Sequence, residues 1–245
     1  KLGRVVMLEA PKIEQELGIE VYATHSKGIG GVIRRKYEDF IVKEIALPTT
    51  CEQDSNSDNV KSEYSIFWLE KRGLDTIQAV RKIADRLGVS HERFSFAGMK
   101  DRNALTTQQV SAWKVPPEKL KEMNLNKIQI KEVSVSRDPV RIGSHWGNQF
   151  QITVRNVPHE VGETEYRLKR TLEETRMTGG TPNYFGHQRF GLRRPITHLV
   201  GLELLKGNPM DAAMIFLSRT SSYERKEAST ARTNLWATMD FKVAT

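Results

Sequence analysis

The chain has 245 residues, with 38 Lys plus Arg against 30 Asp plus Glu, a formal charge of +8, 38% hydrophobic residues and 28% charged. This is enough apolar material for one large domain, or a domain with part of a second, and it excludes disorder throughout. The longest unbroken apolar run, Ala212 to Leu217, excludes a helical membrane span, which needs roughly 18 residues, and a single cysteine, Cys51, excludes an internal disulfide or a cysteine-based zinc cluster.

Lys1 to Glu20 has neither a long apolar stretch nor a small-residue cleavage site, and the first residue is not Met. The expectation is a chain that is not secreted, lies in the reducing cytoplasm, and is numbered from inside a longer gene product. After this weakly patterned start, Gly30 to Arg34 leads into Asp39 to Ile45 as β-structure with a turn near Tyr37 and Glu38. Thr49 to Lys61 is polar and acidic and reads as a surface loop. Glu63 to Leu69 carries Tyr64, Ile66, Phe67 and Trp68 and reads as a strand. Asp75 followed by Gln78 forms a capping-box variant for a helix with apolar Ile77, Val80, Ile83, Ala84 and Leu87, and Gly88 closes it.

Short strands are expected at Phe94 to Ala97 and Gln108 to Val115, then a short helix from Pro116-Pro117 through Met123. Ile128 and Ile130, then Val133 and Val135, form two alternating stretches, and Phe150, Ile152 and Val154 alternate cleanly. Taken alone, Phe150 on that face reads as an inward core residue. Helices follow at Glu165 to Met177, Ile196 to Lys206 and Asn208 to Ser218, the last with Asn208 as cap and Pro209 in its first turn, and a partly helical tail spans Ala231 to Met239. Strands and helices mix without a βαβ rhythm or an internal repeat, so the expected class is α+β, with a mixed, largely antiparallel sheet flanked by helices.

The cations cluster. Arg34, Arg35 and Lys36 share one segment, Lys100 and Arg102 flank Asp101, and Arg189, Arg193 and Arg194 stand beside aromatics. Rings stack on unpaired bases while guanidinium groups hold phosphate, so RNA is the expected partner class. The densest chemistry lies in Gly98 to Gln108, where a strand meets a glycine and then delivers Lys100-Asp101-Arg102. Flanking cations favour the ionised carboxylate, suiting Asp101 to a nucleophile or base. On these three residues alone, a turn aspartate with solvated neighbours is the plainer reading. His145 and His187 are not expected to be metal ligands, and no zinc spacing, Walker loop or dinucleotide-binding glycine pattern is present.

Four segments, in order, resemble one family. The run from Gly98 to Gln108 is similar to the Gly-x-Lys-Asp-(Arg/Lys)-x-Ala-x-Thr-x-Gln motif of the TruD-type tRNA pseudouridine synthases. Tyr37 to Glu44 resembles their Pro-Glu-Asp-Phe-x-Val-x-Glu, Gly147 to Phe150 their Gly-Asn-x-Phe, and Pro182 to Gly191 their Pro-Asn-Tyr-Phe-Gly-x-Gln-Arg-Phe-Gly. The likeness runs from about Gly28 to Gly207. It departs at Tyr37, where the family has proline, and at Arg34, where arginine keeps a basic residue's charge but changes its geometry.

The resemblance implies the pseudouridine synthase catalytic fold and isomerisation of a specific uridine in tRNA, position 13 being the family's usual target, with Asp101 as catalytic nucleophile or base. By the same likeness Phe150 stacks on the target base, Asn148 is a polar contact near it, and Arg34 is the charge partner of Asp101. Lys100, Arg102, Asn183, Gln188 and Arg189 complete the expected substrate-binding set, while Tyr184, Phe185 and Phe190, bordered by glycine, are expected to anchor their loop. The implied reaction calls for no cofactor and no metal, and a monomer is favoured. Residues 1–218 would form the N-terminal and central catalytic domain and residues 219–245 the truncated start of the family's inserted domain. The alternative is a non-catalytic RNA-binding module on the same fold.

Overall fold

A computed structural model describes residues 7–47 and 63–240, so the expected loop at Thr49 to Lys61 and the cysteine lie outside the described residues. The chain divides into two compact units, residues 30–158 and residues 1–29 with 159–245. The second of these begins with a single helical turn, α1 (Lys12–Gln15), that no periodicity announces.

The unit of residues 30–158 is built on β1 (Phe40–Ala46), β2 (Tyr64–Arg72), β3 (Phe94–Phe96), β4 (Leu105–Trp113), β5 (Ile128–Ser136) and β6 (His145–Ile152). The strand order is β5-β2-β4-β1-β6, with β3 also on β4. β1 and β4 are parallel and the remaining pairs antiparallel. The expected mixed, largely antiparallel sheet is therefore present, flanked by α2 (Thr76–Leu87) and α3 (Pro117–Lys121).

α2 forms where its ends are chemically determined. Asp75 accepts from the Gln78 backbone N–H at 2.8 Å, Gln78 answers through its own side chain, and Gly88 takes the left-handed conformation at φ 67°. Its inward positions Ala79, Val80, Ile83 and Ala84 pack on Phe67, Leu69, Val110 and Ala112 of β2 and β4. Fully burying side chains such as Phe67, Leu69 and Ile83 stabilises the unit by about 1.5–3 kcal/mol each. Over β1 the buried apolar cluster shrinks to Phe40, Val42 and Ala104.

Three strands differ from expectation. β4 starts at Leu105, before Gln108, because Thr106 and Gln108 are inward residues hidden from a search for apolar alternation. The two stretches around Ile130 and Val133 are one strand, β5, whose alternation slips at a bulge: Ile66 pairs with Ser134 but Trp68 with Lys131, and Glu132 has φ 49°. Phe150, Ile152 and Val154 do not face a core; they are 54%, 48% and 37% exposed. The segment before β1 is no regular strand: Val32 makes an isolated bridge to Arg155, and residues 37–39 form a 3₁₀ turn.

The other unit carries α4 (Val161–Met177), α5 (Thr197–Leu205), α6 (Pro209–Ser218) and α7 (Lys226–Thr238). α4 begins one turn, and α7 five residues, before the sequence expectation, since neither has a side-chain cap. Glu174 of α4 accepts the backbone N–H groups of His25 and Ser26 at 2.7 and 2.9 Å, and Arg167 donates to the Gly28 carbonyl. The arginine Arg170, with these N–H groups, holds the Glu174 carboxyl down at about 2. Among the described residues no helix is long and apolar enough to cross a membrane.

Candidate active site

The site arises where the inward stripes of the sheet turn polar. On β2 the buried stripe runs Ser65, Phe67, Leu69, Lys71, and on β4 it runs Ala112, Val110, Gln108, Thr106. Antiparallel pairing sets Lys71 opposite Thr106, so both stripes become polar at one end of the sheet. β1 follows the same rule: Phe40 and Val42 are followed by buried Glu44. Val42 pairs with Phe150 and Glu44 with Asn148, which carries β6 side chains onto this face beside β1.

The turn after β3 lies at this polar end and is held from beneath. Thr76 Oγ1 accepts the Lys100 backbone N–H at 2.9 Å and donates to Gln108 Oε1 at 2.8 Å, while Gln108 Nε2 donates to the Gly98 carbonyl at 3.0 Å. Lys71 Nζ donates to the carbonyls of Leu74, Lys100 and Asp101 at 2.7, 3.2 and 2.9 Å. Burial pushes the Lys71 ammonium down to about 8, with Asp75 and Asp101 opposing that shift. With its backbone fixed, Asp101 presents a carboxylate that is 47% exposed.

A cleft of about 280 Å³ opens over this arrangement, lined by Val42, Met99, Lys100, Asp101, Asn148 and Phe150. Phe150 meets Phe40 in a T-shaped contact at 6.0 Å between ring centroids and remains 54% exposed. Arg34, at φ 61°, lays its guanidinium 3.8 Å from the centre of the Phe40 ring and brings Nη2 to 3.4 Å from Asp101 Oδ2. The structure thus gathers Arg34, Lys100, Asp101, Asn148 and Phe150.

Lys100 does not use its charge as the sequence suggests. Its ammonium is 2.8 Å from Glu44 Oε2 and donates to Asn148 Oδ1 at 2.7 Å, so it fixes β1 and β6 side chains rather than simply flanking Asp101. The Glu44 contact pairs charges without hydrogen-bond alignment; the aligned bond to Glu44 comes from the Gln109 backbone N–H at 3.0 Å. Arg102 is exposed and has no ion pair among the described residues.

Lys71, Thr76, Gln108 and Glu44 join this site without being among its expected residues. Gln108 and Glu44 ended two of the motifs, which was the available signal; Lys71 and Thr76 carried none beyond their place in a period-two stripe and at a helix start. Asp39, a third motif residue, takes a two-pronged grip on Arg155, with bonds of 2.7 to 2.9 Å that lower its carboxyl from 3.8 to about 2. That grip ties the start of β1 to the chain just after β6.

Asn183, Gln188 and Arg189 belong to the unit of residues 159–245 with 1–29 and are all exposed there. Arg189 stacks its guanidinium 5.4 Å from the Phe185 ring centre, Phe190 meets His198 at 5.2 Å, and His187 Nδ1 lies 3.3 Å from Glu14 Oε1. Tyr184 and Phe185, expected as loop anchors, are instead 82% and 69% exposed and line a pocket of about 550 Å³ with Phe190 and residues 17–21. Only Phe190 packs in the anchoring manner. Among the described residues no group of three or more His, Cys, Asp or Glu is placed to hold a metal ion.

Comparison with known proteins gives this geometry a family. The family model described as tRNA pseudouridine synthase D (TruD) matches residues 16–245. The chain is 40% identical over 235 residues to a probable tRNA pseudouridine synthase D of Methanosarcina mazei, covering 96% of this chain and 52% of that protein. Relatives with the same description from Thermococcus onnurineus and Archaeoglobus fulgidus are 40% and 36% identical over 219 and 234 residues, covering 89% and 94% of this chain and 49% and 53% of theirs. A crystal structure of the putative TruD from Methanosarcina mazei superposes with a TM-score of 0.80 at 40% identity, over 97% of this chain and 52% of that one. The chain spans about half the length of the curated relatives it matches. On the family match and these identities together, the chain belongs to the tRNA pseudouridine synthase D (TruD) family.

Proposed function

We propose that the protein carrying this chain isomerises one uridine of tRNA to pseudouridine, at position 13, with Asp101 as the catalytic carboxylate. The observation that carries the reading is an exposed Asp101 carboxylate on a cleft shared with a half-exposed Phe150, above a turn whose backbone is pinned by buried polar groups. The cleft, at about 280 Å³, is on the scale of a single nucleoside, which requires the target to leave its stack before it reaches the carboxylate. Phe150 then receives the uracil face, and Asn148, held by Lys100, bounds the cleft beside it.

The carboxylate of Asp101 either adds to ribose C1′ or removes the C2′ proton. In the first route an ester to C1′ forms as the C1′–N1 bond breaks and is itself broken when C5 attacks; in the second the C2′ proton is taken as that bond breaks, leaving a glycal, and is returned as C5 joins C1′. In both the base turns in between, C5 gives up its proton and N1 gains one. Atoms and oxidation level are conserved between uridine and pseudouridine, so no oxidant, reductant or co-substrate enters the balance. Arg34, at 3.4 Å from Asp101, steadies the carboxylate's charge before the base arrives. Arg102, Asn183, Gln188 and Arg189 serve as further RNA contacts, exposed as such contacts must be. Residues 1–218 supply the catalytic part and residues 219–245, with all of α7, begin the inserted domain.

Incubation of the gene product carrying this chain with unmodified tRNA, followed by carbodiimide-dependent reverse-transcription stops, tests the reading. A new stop at a single uridine supports it. Binding of tRNA with no stop at any uridine would instead favour a non-catalytic RNA-binding module.

A further inference from the structure

Lys71 is 1% exposed, yet nothing in the chemistry above uses its charge. Its burial follows from strand periodicity: it continues the inward stripe of Phe67 and Leu69, and Thr106 lies opposite. An ammonium has three protons and no acceptor, and here three carbonyl oxygens converge on it, from Leu74, Lys100 and Asp101. Two of them belong to consecutive peptide groups of the turn that carries the candidate carboxylate. We propose that Lys71 is a positioning residue for Asp101: by clamping the carbonyls of residues 100 and 101 into the interior, it fixes the direction in which the Asp101 side chain leaves the backbone. The inference rests on the assignment of Asp101 made above.

The other supports of the turn act at different points. Gln108 holds the Gly98 carbonyl and Thr76 the Lys100 N–H, so without Lys71 the peptide joining Lys100 to Asp101, and the Asp101 carbonyl, lose their buried partner. A neutral amine has only two protons and turns a lone pair towards the third oxygen, so the clamp requires the charged form. The charged groups acting on it are Asp75 and Asp101, which favour that form, and Lys100, which opposes it, while burial brings its titration to about 8. The clamp is therefore weakened within the range where activity is measurable. Arginine does not replace it, since a planar fork does not match three converging oxygens in a closed site.

The test measures single-turnover pseudouridine formation from about pH 6 to about pH 10 for wild type, Lys71→Met and Asp101→Asn in the complete gene product, with the wild-type lysine Nζ resonances titrated by NMR. The expected wild-type rate falls on an alkaline limb that tracks the Lys71 resonance. Lys71→Met lowers the rate of the chemical step by about 10- to 100-fold, keeps tRNA affinity within about threefold, and lacks that limb. A wild-type rate in Lys71→Met, or a loss confined to tRNA affinity, overturns the inference. If the variant does not fold, the wild type decides: a rate that stays level while the Lys71 amine loses its proton overturns it equally. An active Asp101→Asn removes the underlying assignment, whereas an inactive Asp101→Asn beside a fully active Lys71→Met removes only the role of Lys71.

Discussion

Replacing Glu44 with Gln separates the charge of the buried Glu44–Lys100 pair from its shape. The two side chains are 1% and 5% exposed, and the amide oxygen of the new side chain can still accept the Gln109 N–H. What the substitution removes is the countercharge 2.8 Å from Lys100, whose ammonium retains only the neutral Asn148 oxygen. An uncompensated buried charge of this kind costs about 3–5 kcal/mol. For a chain of this size that corresponds to about 6–20 °C in Tm. Three of the four tryptophans, Trp68, Trp113 and Trp146, belong to the unit of residues 30–158, so fluorescence-monitored urea and thermal unfolding of a Trp236→Phe background report on that unit. A second variant, Glu44→Gln with Lys100→Met, removes the stranded charge and is expected to recover most of the loss. A single substitution costing under about 1 kcal/mol, or a double variant no more stable than the worse single, would refute the reasoning.

Phe150→Ala should lower the rate of pseudouridine formation about 10-fold or more while leaving bulk tRNA affinity within about threefold and stability within about 1 kcal/mol, because the ring is half exposed; single-turnover rates and filter binding check this. Asp39 has its folded value lowered to about 2 from 3.8, so the stability it contributes is complete above pH 3.8 and is lost as pH falls from there through about 2. Asp39→Asn should flatten that part of the acid limb in urea titrations, and an unchanged limb would show that Arg155 holds nothing. Gly191 has φ 129°, and an added Cβ would overlap the Arg194 carbonyl oxygen, so Gly191→Ala should destabilise its unit by more than about 1 kcal/mol, read in the melting of its helical circular dichroism.

The bounds of helix α2 were legible because its caps are local, with Asp75, Gln78 and Gly88 acting within a few residues of the ends they close; of its expected stripe Val80, Ile83 and Ala84 are buried, but Ile77 is 40% exposed and Ala79 takes the inward place. The β5 bulge and the polar first half of β4 were not legible, since each departs from simple alternation for the sake of a neighbour. Phe150 shows a subtler limit. Its alternation with Ile152 and Val154 is real, but periodicity says only that residues share a face, and that part of the face has no buried cluster over it beyond Phe40, Val42 and Ala104. Lys71 was illegible for the converse reason, since a lysine in a strand is read as outward and its three acceptors come from residues 3 to 30 positions away. The Asp101 turn was visible as a motif, but its supports, and the use of Lys100 by Glu44 and Asn148, became apparent only in three dimensions.

The most direct test of the central claim compares wild type with Asp101→Asn in the complete gene product, on unmodified tRNA, scoring pseudouridine and tRNA binding in the same samples. Asp101 is 47% exposed and its backbone supports do not involve the carboxylate, so the variant is expected to fold, to bind tRNA within about threefold of wild type, and to form no pseudouridine. Conversion by Asp101→Asn at a rate near that of wild type would contradict the assignment of this carboxylate to the chemistry.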